Sequence, residues 1–380
     1  MGYRLMGFIK KQPALVSGLS LTLLFLAFWL VGLDFFDGLE LKYYDIRMKL
    51  RGDEQATNEI VIVDIDDESI EKLGRWPWPR SLVARGIETI SAADPKVIGL
   101  NLILSEAEQN TGLKEIRGLE SLFALTLKKQ TGKDGDAFAE ALTLAQKRLD
   151  NDSRLRDAMA SSGRVMLPAF FKDSAVIGDA LADENHPLTS QSIPHVTIPP
   201  GADCPRAGEI ILPIDAYLTA AQGIGHINFA TDMDGSVRKE RLIYEFQGLY
   251  IPSYPLRLAA AYLDVPVERI RAELGFSLTV GSRAIPLTRY SEFLISFKGP
   301  RGAFKRYSFY DVIHDKVPAT IFKNRMVLIS PSASGIMNPL NTPADISMPM
   351  GEFSANTIWA ILNERFIQEP AWSALVELLL

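Results

Sequence analysis

The longest uncharged apolar run covers residues 14–33, ALVSGLSLTLLFLAFWLVGL. At about 1.5 Å of rise per residue, a helix of this length matches the roughly 30 Å hydrocarbon core of a bilayer, so the run predicts a transmembrane helix. A signal peptide has a shorter apolar region and small residues at its cleavage site, whereas this run exits through Phe28, Trp29 and Leu30, and the span is expected to stay attached. Next, residues 39–51 put Leu41, Tyr44, Met48 and Arg51 on one side of a juxtamembrane helix. The pattern then changes period. Ile60, Val61, Ile62, Val63 and Ile65 form a β-branched run interrupted only by Asp64, which predicts a strand buried on both faces inside an α/β sheet. Leu82, Val83, Ile87 and Ile90 recur at helical spacing until Asp94-Pro95 stops them, and residues 97–104, VIGLNLIL, read as a second buried strand. Strand, helix and strand make a right-handed βαβ unit.

Between the first strand and that helix lies a dense set of local signals. Asp66 or Asp67 can cap a short helix over residues 68–73, and Gly74 can close it in a left-handed conformation. Trp76-Pro77-Trp78-Pro79 holds two indoles in rigid extended geometry, because each proline fixes its own φ and restricts the residue before it. Pro79 suits the first turn of the next helix.

Residues 106–157 are rich in Lys, Glu, Asp, Ala and Leu, and predict a solvated helical excursion with a turn over residues 131–135. A strand over residues 163–171 follows, then a wandering segment over residues 172–208. Residues 223–246 read as a strand-turn-strand with Asp234-Gly235 in the turn; Asp232 and Asp234 begin a calcium-loop spacing, but the remaining ligands and the closing Glu are missing. Further on come a helix over 255–263, a hairpin around Gly281-Ser282, strands over 293–297 and 326–330, a short helix over 307–313 and a helix over 354–363. Residues 371–380 start a second apolar segment, too short to span. The fold class expected is therefore α/β, a mixed and largely buried sheet flanked by helices, behind an N-terminal transmembrane helix.

Charge and composition sharpen the placement. Arg4, Lys10 and Lys11 precede the span while Asp34, Asp37 and Glu40 follow it, which keeps residues 1–13 as a cytoplasmic tail and sends residues 34–370 outward. A formal net charge of −6 argues against nucleic acid as a partner. Cys204 is the single cysteine, so no intrachain disulfide exists. The sequence has no phosphate-binding loop, nucleophile elbow or zinc-binding helix, and predicts neither an enzyme, a metal site nor a cofactor. His226 reads as a structural histidine at a strand entrance or as a pH switch.

In open α/β sheets ligands bind beyond the carboxyl ends of the strands. Asp64, Asp66, Asn101 and Ser105 lie there in sequence, and the candidate binding set is Asp64, Asp66, Arg80, Asn101, Asn228 and Arg238, with Trp76 and Trp78 as an apolar wall. Each has an ordinary alternative: the acids cap helices, Asn101 satisfies backbone groups, and the tryptophans brace a loop.

Several separated motifs, in order, carry a family resemblance. They are residues 62–66 with Leu73-Gly74-Arg75-Trp76-Pro77-Trp78-Pro79-Arg80; Val97-Ile98-Gly99; Gly225-His226-Ile227-Asn228-Phe229 with Asp232, Asp234-Gly235 and Val237-Arg238; Val327-Leu328-Ile329; Thr342-Pro343; and Met348-Pro349 with Gly351-Glu352 and Ala355-Asn356. Over residues 45–372 the chain resembles the type 2 CHASE domain, the extracytoplasmic sensory module associated with cyclases and histidine kinases. The resemblance implies a sensor of a bacterial transmembrane receptor, in the inner membrane with its domain periplasmic, passing a ligand- or state-dependent change to a cytoplasmic cyclase, diguanylate cyclase or kinase. The expected partners are the lipid bilayer, a small-molecule or envelope ligand, and a second copy, since such outputs work in pairs. The sequence departs from the family at Asn101, where an acid is more usual, and at Ser330-Pro331-Ser332, where a glycine turn is expected. Two readings from other classes stand beside it: a membrane-tethered interaction scaffold without a small-molecule ligand, and a membrane-anchored enzyme of an unfamiliar type.

Overall fold

The computed structural model describes residues 13–31, 34–50, 58–126, 132–173, 181–183 and 185–368, with side chains from 26 to 37 and a few others left out. The helices in chain order are α1 (Pro13–Val31), α2 (Asp34–Leu50), α3 (Asp67–Leu73), α4 (Arg80–Ser91), α5 (Thr111–Thr126), α6 (Gly132–Leu149), α7 (Asn151–Ser162), α8 (Asp215–Ala220), α9 (Tyr254–Tyr262), α10 (Phe309–Ile313) and α11 (Met350–Leu362). A seven-stranded sheet forms the centre. Its strands are β1 (Ile60–Ile65), β2 (Val97–Leu100), β3 (Val165–Asp173), β4 (Ala207–Ile211), β5 (Gly223–His226), β6 (Lys305–Ser308) and β7 (Met326–Pro331). They lie in the order β6-β1-β7-β2-β3, and β3 then pairs with β5 in parallel and with β4 antiparallel.

The β-branched run of β1 explains its central place. All six residues are buried, and alternate side chains feed two separate cores. Ile60 and Ile62 pack with Tyr254, Leu258, Phe353 and Ile358 of α9 and α11. Val61, Val63 and Ile65 pack with Val83 and Ile87 of α4, Leu155 and Met159 of α7, and Phe309 of α10. Each such side chain contributes roughly 1.5–3 kcal/mol of transfer free energy, which a strand exposed on one face would collect at only half its positions. Three smaller sheets accompany it among the described residues, one of them the antiparallel pair Ile243–Phe246 and Leu249–Pro252. Of the other two, one joins His195–Thr197, Arg271–Glu273, Ser277–Val280 and Arg283–Pro286; the other joins Phe229–Ala230, Lys239–Arg241 and Glu292–Leu294.

Local signals decided much of the first βαβ unit. Asp66 is the N-cap of α3, accepting the Ser69 N–H at 2.8 Å, and Pro79 is the N-cap of α4 rather than its first helical residue. Gly74 takes φ +97°, but its ψ of 178° is extended, so it ends α3 without a left-handed helical turn.

The sequence expectations needed correction where tertiary pairing acts. Residues 101–104 are not strand, although Leu102 and Leu104 are buried. The excursion holds three helices, and Gly132 to Gly135 belong to α6 instead of a turn. Helix α11 starts four residues early and includes Gly351 and Glu352. Tyr307 and Ser308, expected to open the helix over 307–313, instead end the edge strand Lys305–Ser308, and the helix begins at Phe309. Among the described residues no helix is long and apolar enough to cross a membrane, so the span expected over 14–33 is not shown by the fold. The tail before residue 13 and the apolar segment over 371–380 lie outside the described residues.

Candidate functional site

At the carboxyl end of β1, Asp64 points toward α11 and is 5% exposed. Arg306 of β6 donates its Nε to Asp64 Oδ2 at 2.6 Å and its Nη1 to Glu352 Oε2 at 3.2 Å. Glu352 Oε1 accepts the Gly302 N–H at 2.9 Å. Burial pushes the Glu352 carboxyl above its usual range, against the opposing pull of Arg306. Ser330, the β7 residue paired with Asp64, accepts from Asn101 Nδ2 at 3.3 Å. The structure thus brings Asp64 and Asn101 into one cluster and closes it with Arg306, Glu352 and Ser330. Arg306 bonds both carboxylates, and Asn101 and Ser330 bond each other beside them. Sequence reasoning missed Arg306, whose alternation within KRYS was the available signal, and it gave Glu352 no site role despite its place in a family motif.

The other candidates are elsewhere. Asp66 accepts the Ser69 N–H and, at 2.9 Å, the Ser308 Oγ–H, which is the capping alternative. Trp78 is 4% exposed, donates its indole N–H to the Gly74 carbonyl at 2.8 Å and packs on Phe309 with ring centroids 5.3 Å apart; Trp76 meets it edge-on. Both tryptophans brace the α3–α4 turn and form no wall beside Asp64, which points to the opposite face of the sheet. Arg80 lies under the excursion. Its backbone N–H donates to Glu108 at 2.7 Å, and its guanidinium stands 3.9 Å from Asp152, which also accepts the Tyr217 hydroxyl at 2.5 Å. Asn228 extends the β3 ladder with its side chain, accepting from the Phe171 N–H at 2.9 Å and donating to the Phe171 carbonyl at 2.5 Å. The expectation of a single crevice lined by all eight residues is therefore corrected. Among the described residues no group of three or more His, Cys, Asp or Glu is arranged to hold a metal ion. An open groove lies on the four-stranded sheet, lined by His195, Thr197, Arg271, Glu273 and Thr279, and none of the eight lines it.

Arg238 has the most consequential placement. Its side chain is 1% exposed and is held by three carboxylates. Asp45 of α2 accepts two hydrogen bonds at 2.8 Å, Asp232 one at 2.9 Å, and Asp234 two at 2.9 and 2.7 Å. The Arg238 hydrogen bonds hold the Asp234 carboxyl well below the usual range, against its modest burial. The Asp-rich turn that resembled a calcium loop is thus an arginine clasp. Beside it, the Ile295 N–H donates to the Arg238 carbonyl at 3.0 Å, and the Ile295 carbonyl accepts the Tyr44 hydroxyl of α2 at 2.9 Å. Ile295 also bridges Phe366, so the helix entering the domain and the segment leaving it meet at one residue.

A family model described as the CHASE2 domain matches residues 20–380. The chain belongs to the CHASE2 domain family. CHASE2 is an extracellular sensory, non-catalytic domain family found in receptors. No curated protein and no solved structure matches the chain.

Several CHASE2 motif residues in this chain serve close packing. A Cβ on Gly351 would lie 2.6 Å from Ser330 Cβ, and one on Gly99 would lie 2.7 Å from both Leu328 Cδ2 and the Tyr254 hydroxyl. Asn356, fully buried, accepts the Lys298 N–H at 2.7 Å and donates to the Glu352 carbonyl at 2.9 Å. These motifs seat α9 and α11 against the sheet and carry the Asp64 cluster between them.

Proposed function

We propose that this CHASE2 chain is the extracytoplasmic signal-sensing module of a bacterial transmembrane receptor, anchored in the inner membrane through the apolar run over residues 14–33 and passing a conformational change through α2 to a cytoplasmic cyclase, diguanylate cyclase or kinase. The observation that carries the reading is the joint made by Arg238, Asp45, Tyr44, Ile295 and Phe366. A change inside the domain that moves the strand Glu292–Leu294 or the turn at Asp232 bears on both chain connections at once. The sequence supports the anchor, since residues 14–33 pass without a charge, and Leu15, Leu19, Leu21, Leu23, Leu24 and Phe25 in that run are exposed. A ligand that binds one state better than the other shifts the equilibrium by its differential affinity. This reading places ligand or physical-state input at the closed Asp64–Arg306–Glu352 network, because an ion entering there would exchange one buried ion pair for another.

Topology tests the reading directly. A compartment-sensitive reporter inserted at the exposed turn of Gly201 should report outside, and one at the amino terminus should report cytoplasmic. The reverse pattern overturns the sensor reading.

A second reading has an observation in its favour. Leu119, Leu122 and Leu125 of α5 stand exposed on the excursion, while the Asp64 cluster is filled by the domain's own side chains. Both features suit a membrane-tethered scaffold that recruits a protein partner. Replacing Leu122 and Leu125 with Lys would abolish recruitment under that reading and leave sensing intact under the first.

A further inference from the structure

Helix α2 has two apolar faces. One docks on the domain through Tyr44, Asp45 and Met48. On the other, Tyr43, Ile46 and Leu50 stand 65%, 50% and 80% exposed. In the sequence this second face begins earlier, because Phe36, Leu39, Tyr43, Ile46 and Leu50 recur at alternating spacings of three and four. On an α-helix the five positions fall within an arc of about 80°, on the side away from the docked residues. So narrow a stripe has the a/d spacing of a coiled-coil seam over two heptads, whereas a helix lying against a globular core or a bilayer shows a broader one. Glu40 and Arg47 border one edge of the seam, and Lys42 and Lys49 the other. An interfacial helix also keeps its polar face in water, whereas the face of α2 opposite the stripe is taken up by the domain.

We infer that this stripe pairs with α2 of a second copy, in parallel, so that two CHASE2 domains are joined through their juxtamembrane helices. Parallel pairing follows from the membrane anchoring proposed above; the seam itself does not depend on it. The register sets Lys42 of one copy opposite Arg47 of the other, a like-charge approach at the rim. The pairing is therefore weaker than the seam allows, and a single charge reversal should strengthen it. Dimerisation through α2 places the Arg238 clasp directly behind the seam: Asp45, on the docked face, and Ile46, on the seam, are neighbours in the chain. Release of Asp45 by Arg238 would rotate or slide the paired helices against each other.

The full chain in detergent or lipid nanodiscs decides the matter. With Cys204→Ser in the background, Ile46→Cys should give a covalent dimer under mild oxidation, and Arg85→Cys, exposed on α4, should not. Arg47→Glu turns the rim repulsion into attraction at two symmetric positions and should tighten the dimer roughly two- to five-fold in sedimentation. Ile46→Glu should give a monomer with an unchanged far-UV circular dichroism spectrum. Equal crosslinking at Ile46→Cys and Arg85→Cys overturns the inference, and so does a dimer unaffected or weakened by Arg47→Glu. Quenching of a fluorophore on Ile46→Cys by brominated lipid tails would overturn it too, showing lipid on this face. In micelles the crosslink reads pairing whichever side of the membrane the domain occupies, so its failure is distinct from a failed topology result.

Discussion

Gly225 of β5 lies so close to Tyr254 of α9 that a Cβ on the glycine would come within 2.6 Å of the Tyr254 Cα and backbone N. The obstacle is main chain, which cannot rotate away. Gly225→Ala is therefore expected to destabilise the domain by about 2–3 kcal/mol through forced separation of helix and sheet. Alanine at the unobstructed Gly118 should instead stabilise by up to about 1 kcal/mol, since alanine is the better residue in an exposed helix interior. Urea denaturation of the two variants makes the comparison, and equal stabilities would refute the packing account.

The Arg238 clasp divides global stability from attachment of α2. Asp45 is about a quarter exposed, so Asp45→Asn should cost only about 1 kcal/mol globally. It should nonetheless speed amide hydrogen exchange across residues 38–50, because the hydrogen bonds it weakens tie α2 to the domain. Arg238→Met leaves Asp45, Asp232 and Asp234 without their cation and should cost about 3 kcal/mol or more. Should exchange in α2 be unchanged in Asp45→Asn, the clasp is not what couples helix to domain.

Arg306 neutralises two buried carboxylates, and its loss should show as pH dependence. Glu352 already has a raised pKa from burial, and Arg306 opposes that shift. Arg306→Gln raises it further. A carboxyl whose folded pKa lies above its unfolded value supports the fold best while protonated, below the unfolded pKa, and the stability is lost as pH rises through the folded value. The variant should thus stand near the parent at pH 4 and fall about 3–5 kcal/mol below it at pH 8. Melting temperatures at the two values check the sign; a larger deficit at pH 4 would contradict the arrangement.

His226 has the opposite sign. It is fully buried between Phe171 and Tyr244, with ring centroids 5.6 and 5.0 Å away, and burial, aided by Arg241, pushes its pKa down to about 3. The neutral ring is the native form. Its contribution is complete above the unfolded value of 6.5 and is lost as pH falls toward 3, by up to roughly 5 kcal/mol over the window. His226→Phe keeps the ring packing and loses the 3.3 Å bond from the Asn228 N–H, costing about 1 kcal/mol at pH 7.5. Its stability should then decline less between pH 6.5 and 4 than that of the parent. Parallel declines would assign the acid lability to other groups.

What the sequence determined alone was the frame. The β-branched run at Ile60 to Ile65, the helical spacing from Leu82 to Ile90 and the Asp66 cap are written in neighbouring residues, because side-chain period and local capping act over one or two turns. The ordered motifs likewise marked the CHASE2 family before any tertiary neighbour was known. Tertiary structure decided the rest. Lys305–Ser308, with two cations in four residues, becomes a strand only because β1 offers it a parallel edge. Asp45 and Arg238 are 193 residues apart, and nothing local to either names the other. The candidate site followed suit: Asp64 and Asn101 were legible from strand ends, but Arg306 and Glu352 arrive from distant elements, and Asp66, Trp76, Trp78 and Asn228 proved to be caps and braces. Long-range ion pairs depend on which strands become neighbours, and that is settled by burying both faces of the whole sheet rather than by any local pattern.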